Sequence, residues 1–487
     1  MKTGNEIDIA ILKNNTELDI QSLNKYYRRA WRSLDFDYSK LDQHCDFLKN
    51  KFLNNDSFDE KEKTYLLAKL GEYQEKFNLV NQKGKTRKCE DCHKKTYSVQ
   101  NCEECIRNYL RQKFNTWTSG DKTIDHEIQK AQNKVICSYQ IIEWIPYENL
   151  EGVEYFTQGG CATIYKAIWK DGCYDTWDYK TKKLVRFGKQ LVILKMLKSS
   201  DQNNSWFNEA LNHFTIDRIA QYLVPCHGLT KDPETGNFML VLRYMMTNLR
   251  NFLLENNSSI SWEQRYDILY EIAACLNEIH RRNNVHRDLH SGNILIRHTL
   301  ALYISDLGFC GPVDKPLNCI YGNLPYIAPE IMCEMPYTTM ADIYSLAIIM
   351  WEIAAGVPPY MNKKRDINLA LAVVKGMRPK IDDKIPREYA TLMEQCWDAN
   401  PKNRPDISTV WKKIRELRMK LIDAKDNGIS EENFLEILPN STQSTKLAKD
   451  KNVTRCSSSL YILTNLSEPK NASKVDSMLL ELSVPEY

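Results

Sequence analysis

No stretch of this chain approaches the roughly 20 consecutive apolar residues that a membrane-spanning helix needs. The opening MKTGNEIDIAILKNNTELD also has no apolar core ahead of a small-residue cleavage site. An excess of one charge is missing as well: 66 Lys and Arg stand against 63 Asp and Glu, a net charge of +3. That near balance gives no support to nucleic-acid binding. The fifteen cysteines are odd in number and follow no secretory signal, so a disulfide framework is not expected and reduced thiols or metal ligands are. No internal repeat is found. What remains is an ordinary globular composition, 43% hydrophobic and 26% charged, long enough for roughly two to four domains. A soluble cytoplasmic protein is expected.

Along the chain the pattern changes several times. Residues 1–82 are expected to form a helical region, with Leu41, Cys45, Leu48 and Phe52 and then Leu66, Leu70, Tyr73 and Phe77 at helical intervals. Ser57 with Glu60 has capping-box spacing for the second of these helices. The region carries no polar cluster and is expected to pack or to dock a protein partner. Residues 119–146 are expected to be a linker with a short helix around Asp125 to Asn133. From Tyr147 strand-like runs dominate (EYFTQGG, TIYKAIW, LVILKML, FMLVLRYM), with one helical stretch near Trp206 to Thr215. After Asn248 long helices take over, one opened by Ser261 and Gln264 at capping-box spacing. Residues 421–487, rich in Ser, Asn and Lys, are expected to be disordered.

Residues 83–118 contain two CxxC pairs, Cys89 with Cys92 and Cys102 with Cys105. A two-residue gap lets both thiolates of a pair turn onto one ion, and two such pairs could close a four-thiolate zinc site. Four reduced thiols on a polar loop are the alternative, and neither pair has the glycine that often eases the turn. A catalytic zinc is not expected, because four thiolates leave no open coordination position. Lys83, Lys85, Arg87 and Lys88 lie nearby without a wider basic face, so no nucleic-acid partner is expected.

The densest chemistry lies in residues 286–308, HRDLHSGNILIRHTLALYISDLG. Phosphoryl transfer needs phosphates held, metal placed, a hydroxyl oriented and charge neutralised. Asp288 could take a hydroxyl proton while Asn293 and Asp306 hold Mg2+. This stretch resembles the catalytic and metal-binding loops of eukaryotic protein kinases, with DLG where many members have DFG.

The resemblance spans about residues 147–420 and implies an α+β, bilobal protein kinase fold with a β-rich N-lobe and an α-rich C-lobe. It implies ATP and Mg2+ as cofactors and proteins as substrates. In FTQGGCATIYKA it implies a phosphate loop in which Gly159, Gly160, Ala162 and Ile164 meet the nucleotide. It makes Lys195 the phosphate-holding lysine, Glu209 its ion-pair partner, Leu242 the gatekeeper and Arg243 to Met245 the adenine hinge. Ala328-Pro329-Glu330 resembles the end of an activation segment, Asp342 the aspartate that braces the catalytic loop, and Arg404 the partner of Glu330. Trp397 and the HRDLHSGN wording resemble the tyrosine-kinase-like branch. The run from the N-terminal helices through KCEDC resembles the expanded kinase-like families of arbuscular-mycorrhizal fungi.

Some positions depart from that pattern. His290 and Asn323 stand where serine/threonine kinases usually have lysine and threonine, and both are expected to hydrogen-bond around Asp288, His290 in a pH-sensitive way. Serine/threonine specificity is favoured, with tyrosine open. The activation segment FCGPVDKPLNCIYGNLPYIAPE contains no Ser or Thr, which leaves Tyr321 as the partner for Arg287 if any phosphate binds there. Cys161 and Cys310 are either redox-active or small buried hydrophobes. The insertion DGCYDTWDYKTKKLVRFGKQ is expected to form an extra β-hairpin.

Overall fold

The computed structural model describes residues 19–32, 34, 40–81, 83–84, 86–98, 102–158, 162–178, 180–196, 210–211, 213–214, 223–297, 301–307, 311–312, 320–428, 430, 459–461 and 468–471. The chain divides into two compact units, residues 1–141 with 172–187, and residues 142–171 with 188–487.

The first unit opens with helices α1 (Ile20–Arg32), α2 (Leu41–Leu53) and α3 (Glu60–Asn81). The expected apolar faces are the buried ones: Leu41, Cys45, Leu48 and Phe52 of α2 pack with Leu23 and Tyr27 of α1 and Leu66 and Leu70 of α3. Each fully buried leucine contributes roughly 1.5–3 kcal/mol. The cap of α3 differs from expectation. Asp59 and Glu62 form the reciprocal pair, the Glu62 N–H donating to Asp59 at 2.8 Å and the Asp59 N–H donating to Glu62 at 3.0 Å. Ser57 lies two residues too early, because the aspartate carboxylate satisfies the free N–H of this turn first.

Next come β1 (Arg87–Lys88) and β2 (Lys95–Thr96), paired antiparallel, then α4 (Glu103–Arg111) and α5 (Lys122–Gln132). Asp121 caps α5 by accepting from the N–H groups of Thr123 and Ile124. The inserted hairpin is present, β6 (Tyr174–Asp178) pairing with β7 (Lys183–Arg186). It belongs to this unit although it lies inside the span expected for the kinase domain. Tyr174, Trp177 and Leu184 share one core with Cys89, Cys102, Cys105, Ile106 and Leu110. The Tyr109 ring meets that of Trp177 edge-on at 5.9 Å, and Lys182 pairs with Asp91 at 2.7 Å.

The second unit begins with a six-stranded sheet. Its strands are β3 (Glu143–Trp144), β4 (Leu150–Gln158), β5 (Thr163–Trp169), β8 (Gln190–Met196), β9 (Cys226–Lys231) and β10 (Phe238–Arg243), in the order β3-β9-β10-β8-β5-β4. All neighbours are antiparallel except β3 and β9. At Gly228, with φ of 149°, a Cβ would stand 1.9 Å from the Glu143 carbonyl oxygen, so only glycine lets β3 approach. Lys195 lies opposite Ile164 on one side and Leu240 on the other.

His227 is buried in this sheet, 3.2 Å from the Gln190 amide nitrogen. Burial first, and then the charge of Arg243, push its pKa down to about 3. The unfolded chain therefore takes up this proton near the ordinary histidine pKa while the folded protein does not. Stability contributed above that pH falls as the pH drops from about 6.5, by about 2 kcal/mol at pH 5 for this one group. His227→Gln is expected to remove that much of the loss in urea unfolding between pH 7 and pH 5.

Helices dominate the remainder. In order come β11 (Thr247–Asn248), α6 (Leu249–Asn256), α7 (Trp262–His280), β12 (Asn284–Val285), β13 (Ile294–Ile296), β14 (Leu302–Ile304), β15 (Gly311–Pro312) and β16 (Ile320–Gly322). Then follow α8 (Pro329–Met332), α9 (Thr339–Ala355), α10 (Ile367–Val374), α11 (Arg387–Cys396) and α12 (Ile407–Asp426). Ser261 and Gln264 form the expected capping box of α7. The apolar run YSLAIIMWEIAAG lies within α9, whose Ile343, Leu346, Ile348, Ile349 and Met350 are fully buried, and Gly356 ends the helix at φ of 74°. Among the described residues, no helix is long and apolar enough to cross a membrane. Helix α12 continues past residue 420, and two pieces of the segment expected to be disordered are placed. These are β17 (Ser459–Tyr461), paired with β16, and residues 468–471.

Candidate active site

The loop carrying Asp288 is held from below by one buried carboxylate. Asp342, at the start of α9, accepts from the backbone N–H of His286 at 2.8 Å and of Arg287 at 3.0 Å, and lies 2.8 Å from Nε2 of His280. Burial works to raise the pKa of Asp342, but the His280 hydrogen bond and the neighbouring imidazoles outweigh it, so the group stays ionised. These two N–H bonds to Asp342 fix a loop in which Arg287 takes φ of +71°, an unusual conformation for a long side chain. A second buried network lies beneath the loop. Arg250 donates to Ser291 and to the Tyr326 hydroxyl, which donates to Glu352.

Asp288 sits on this platform, 4% exposed. The Asn293 amide nitrogen donates to its backbone carbonyl at 3.0 Å and approaches its carboxylate at 3.4 Å. The residues between form a turn, after which β13 and β14 pair antiparallel, Ile294 opposite Ile304. That hairpin is why two distant sequence positions meet: the Ser305 N–H donates to the Asn293 carbonyl at 2.8 Å, and Asp306 follows directly. Asp306 takes φ of +62°, and its carboxylate pairs with the Lys195 ammonium at 2.9 Å. Burial would raise the Asp306 pKa, but the Lys195 ammonium beside it holds it below the ordinary aspartate value. An amide oxygen and an ionised carboxylate at the adjacent ends of paired strands suit Mg2+, a hard cation that takes oxygen ligands.

The structure corrects the expectation for His290. Its Nδ1 accepts from the Gly292 N–H at 3.0 Å, and Nε2 lies 3.8 Å from Asp288. Burial, then the charge of Arg250, push its pKa well below the ordinary histidine value, so it is neutral and does not titrate near pH 7. Asn323 does not bond Asp288 either; its amide oxygen accepts from Arg365 at 3.0 Å. Asn323 lines a crevice with Arg287, Asp288 and Gly322.

Of the other expected nucleotide contacts, Ala162 is buried at the start of β5, Ile164 faces Lys195 across the sheet, and Arg243 ends β10 with Met245 buried just beyond. The Met246 N–H donates to the Ile296 carbonyl, which ties the segment after β10 to the β13–β14 hairpin. Gly159, Gly160, Cys161, Glu209, Cys310 and most of 206–215 lie outside the described residues, as does the side chain of Tyr321. Glu330 and Arg404 form a two-pronged pair at 2.7 Å and 2.7 Å, and Arg404 also donates to the carbonyls of Asp398 and Met340.

In the first unit, the thiol sulfurs of Cys89, Cys92, Cys102 and Cys105 all lie within 4.8 Å of one another. The closest pairs are Cys89 with Cys105 at 3.7 Å and Cys92 with Cys102 at 3.4 Å. A tetrahedral zinc with bonds of about 2.3 Å would set its sulfurs about 3.8 Å apart, so the donor set fits. The missing glycine is explained: His93 itself takes φ of 58°, and Cys102 is the residue before α4, where a helix start supplies the turn. Burial raises the Cys89 pKa, but the N–H groups of Cys92 and Asp91 and the neighbouring thiols bring it down to about 7. Burial pushes Cys102 up to about 11.

A buried carboxylate on a braced loop, an amide and a second carboxylate on the adjoining hairpin, and a lysine paired with that second carboxylate form an arrangement of the protein kinase type. Residues 150–414 match the family described as protein tyrosine and serine/threonine kinases, and the chain belongs to that family. Among curated proteins, it is 27% identical over 267 residues to a probable LIM domain-containing serine/threonine-protein kinase of Dictyostelium discoideum, covering 53% of this chain and 38% of that protein. It is 26% identical to the Arabidopsis thaliana serine/threonine-protein kinase STY17 (47% of this chain, 40% of that protein). It is 30% identical to human receptor-interacting serine/threonine-protein kinase 1 (37% and 30%). The matched region spans less than half the length of each of these relatives.

Sequence reasoning missed His280 and the network of Arg250, Ser291, Tyr326 and Glu352. Nothing in their spacing signals them, since buried partners of a loop are brought together only by the packing of α6, α7 and α9.

Proposed function

We propose that this chain is an active ATP- and Mg2+-dependent protein kinase that phosphorylates serine or threonine hydroxyls of protein substrates in cytoplasmic signalling. The observation that carries the reading is the ionised pair Lys195–Asp306, next in the chain to Ser305, whose N–H ties it to the loop of Asp288 and Asn293. Asp288 orients the acceptor hydroxyl and takes its proton. Lys195 holds phosphate oxygens. Asn293 and Asp306 would hold Mg2+, which neutralises phosphate charge when bound. The phosphate-loop glycines Gly159 and Gly160 and the ion-pair partner Glu209 complete the assignment. A scaffold without catalysis is the weaker reading, because each residue that such proteins can afford to lose is present. The test is transfer from labelled ATP to a generic protein such as casein, followed by phosphoamino-acid analysis. Phosphoserine or phosphothreonine supports the reading, and phosphotyrosine alone would replace its specificity.

The same proposal places the chain in the tyrosine-kinase-like branch, near the kinase-like families of arbuscular-mycorrhizal fungi. It gives the helices α1 to α3 a partner-docking role; Phe47 and Leu53 on α2 are exposed apolar side chains there. It also assigns one structural Zn2+ to Cys89, Cys92, Cys102 and Cys105. Purified protein is expected to carry about one zinc per chain by elemental analysis. Removing it with a chelator should unmask the Trp177 fluorescence, because that side chain shares the cysteines' core. Metal content near zero, with all four thiols freely titratable, would remove the zinc assignment.

A further inference from the structure

Strand β17 lies one strand away from the residue that abuts Asp288. It pairs antiparallel with β16 in the activation segment: Ser459 opposite Gly322, Leu460 opposite Tyr321 and Tyr461 opposite Ile320. Gly322 is the neighbour of the catalytic base. A Cβ built on it would stand 3.3 Å from the Asp288 carboxylate oxygen, and its φ of +143° suits only glycine. Residues paired across antiparallel strands have α carbons about 4.5–5.5 Å apart. The register therefore sets the backbone of Ser459 one strand spacing from Gly322, the residue that abuts Asp288. Strand addition to an exposed edge is a general mode of peptide recognition, in which main-chain hydrogen bonds give affinity.

A second, independent set of contacts holds the same segment. The Lys470 N–H donates to the Val374 carbonyl at the end of α10 at 2.9 Å. The Asn471 side chain accepts from the Ala399 N–H at 2.9 Å and donates to Asp398 at 3.1 Å. The strand is thus tied down on its C-terminal side by three hydrogen bonds to the helical lobe. The chemistry of the segment also fits. Ser459 ends the run Cys456-Ser457-Ser458-Ser459, a cluster of hydroxyls, whereas the activation segment has no Ser or Thr. Asn323, 2% exposed, lines the crevice next to Asp288, and its amide nitrogen has no hydrogen-bond partner among the described residues. That is a donor free for the backbone of an acceptor peptide.

We propose that the tail strand 459–461 is a tethered substrate, and that Ser459 is phosphorylated within the same molecule. In the step, a serine Oγ attacks the γ-phosphorus of ATP. The new O–P bond forms as the bond from the γ-phosphorus to the β,γ-bridging oxygen breaks, ADP leaves with that electron pair, and the hydroxyl proton passes to Asp288. The inference rests on the kinase reading and adds a substrate to it. A tethered strand acts at an effective concentration that can reach the order of mM, so it also competes with other proteins for the groove.

The experiment uses the full chain with labelled ATP and Mg2+, maps phosphate by mass spectrometry, and includes casein as a second acceptor. The tethered reading expects phosphate on Ser459, at a rate per molecule unchanged by a hundredfold dilution, and lost in Ser459→Ala. Leu460→Pro, which removes a strand N–H, should slow tail labelling. It should also lower the KM for casein, about tenfold if the free groove is populated a tenth of the time. Tail labelling that scales with enzyme concentration, or phosphate on casein with none on Ser459, overturns the inference and leaves the kinase reading standing. No phosphate on either acceptor overturns both.

Discussion

Asp288→Asn is expected to lower kcat for phosphate transfer by about 10²- to 10⁴-fold, the usual worth of a positioned general base, while leaving ATP affinity nearly unchanged. The substitution keeps the shape of the side chain and removes its ability to take a proton. The loop should survive, because its conformation depends on the two backbone N–H bonds to Asp342 and on the Ser305–Asn293 tie rather than on Asp288 itself. Lys195 and Asp306 are untouched, so nucleotide binding is preserved. Steady-state kinetics with casein beside nucleotide titration separates the two effects. A parallel loss of ATP affinity would mean that Asp288 holds the site together rather than acting on the hydroxyl.

The second large effect is on stability. Arg404→Met is expected to cost about 3–5 kcal/mol, because it leaves the Glu330 carboxylate buried without its charge partner. Both members are almost fully inaccessible, 4% for Arg404 and 2% for Glu330. Calorimetry should register a fall in Tm of roughly 10 °C for the unit that contains them. Adding Glu330→Leu should recover much of the loss, since an apolar pair avoids the buried charge. It should not recover all of it, because the Asp398 and Met340 carbonyls also lose the Arg404 donors. A double variant no better than the single would show that Arg404 acts through those carbonyls rather than through the ion pair.

Much of this architecture was legible because it is written in residues that have few substitutes. A base, an amide and a carboxylate at the intervals of Asp288, Asn293 and Asp306 leave little room for another arrangement, and the strand alternation around them foretells the hairpin. Apolar periodicity likewise gave the buried faces of α2 and α3. The sequence was less informative where several residue types can do one job. Asp59 and Glu62 cap α3 as well as Ser57 and Glu60 could have, and His93 adopts the turn conformation that a glycine would have made obvious. It was silent where the relevant partner is remote. Nothing local to DGCYDTWDYKTKKLVRFGKQ says that Trp177 packs with the cysteines, and nothing in a serine-rich tail says that Ser459 pairs with Gly322. The pH sensitivity expected of His290 failed for a similar reason, since its burial and the nearby Arg250 come from the tertiary fold.

The most direct test of catalysis is a single-turnover measurement of γ-phosphate transfer by the purified chain with Mg2+, set beside Asp306→Asn with nucleotide binding measured on both. The account predicts transfer by the natural sequence and its loss in the variant, which lacks the carboxylate that meets Lys195 at 2.9 Å. Binding of ATP by the natural sequence with no transfer to any acceptor would contradict it, and would make this fold a scaffold rather than an enzyme.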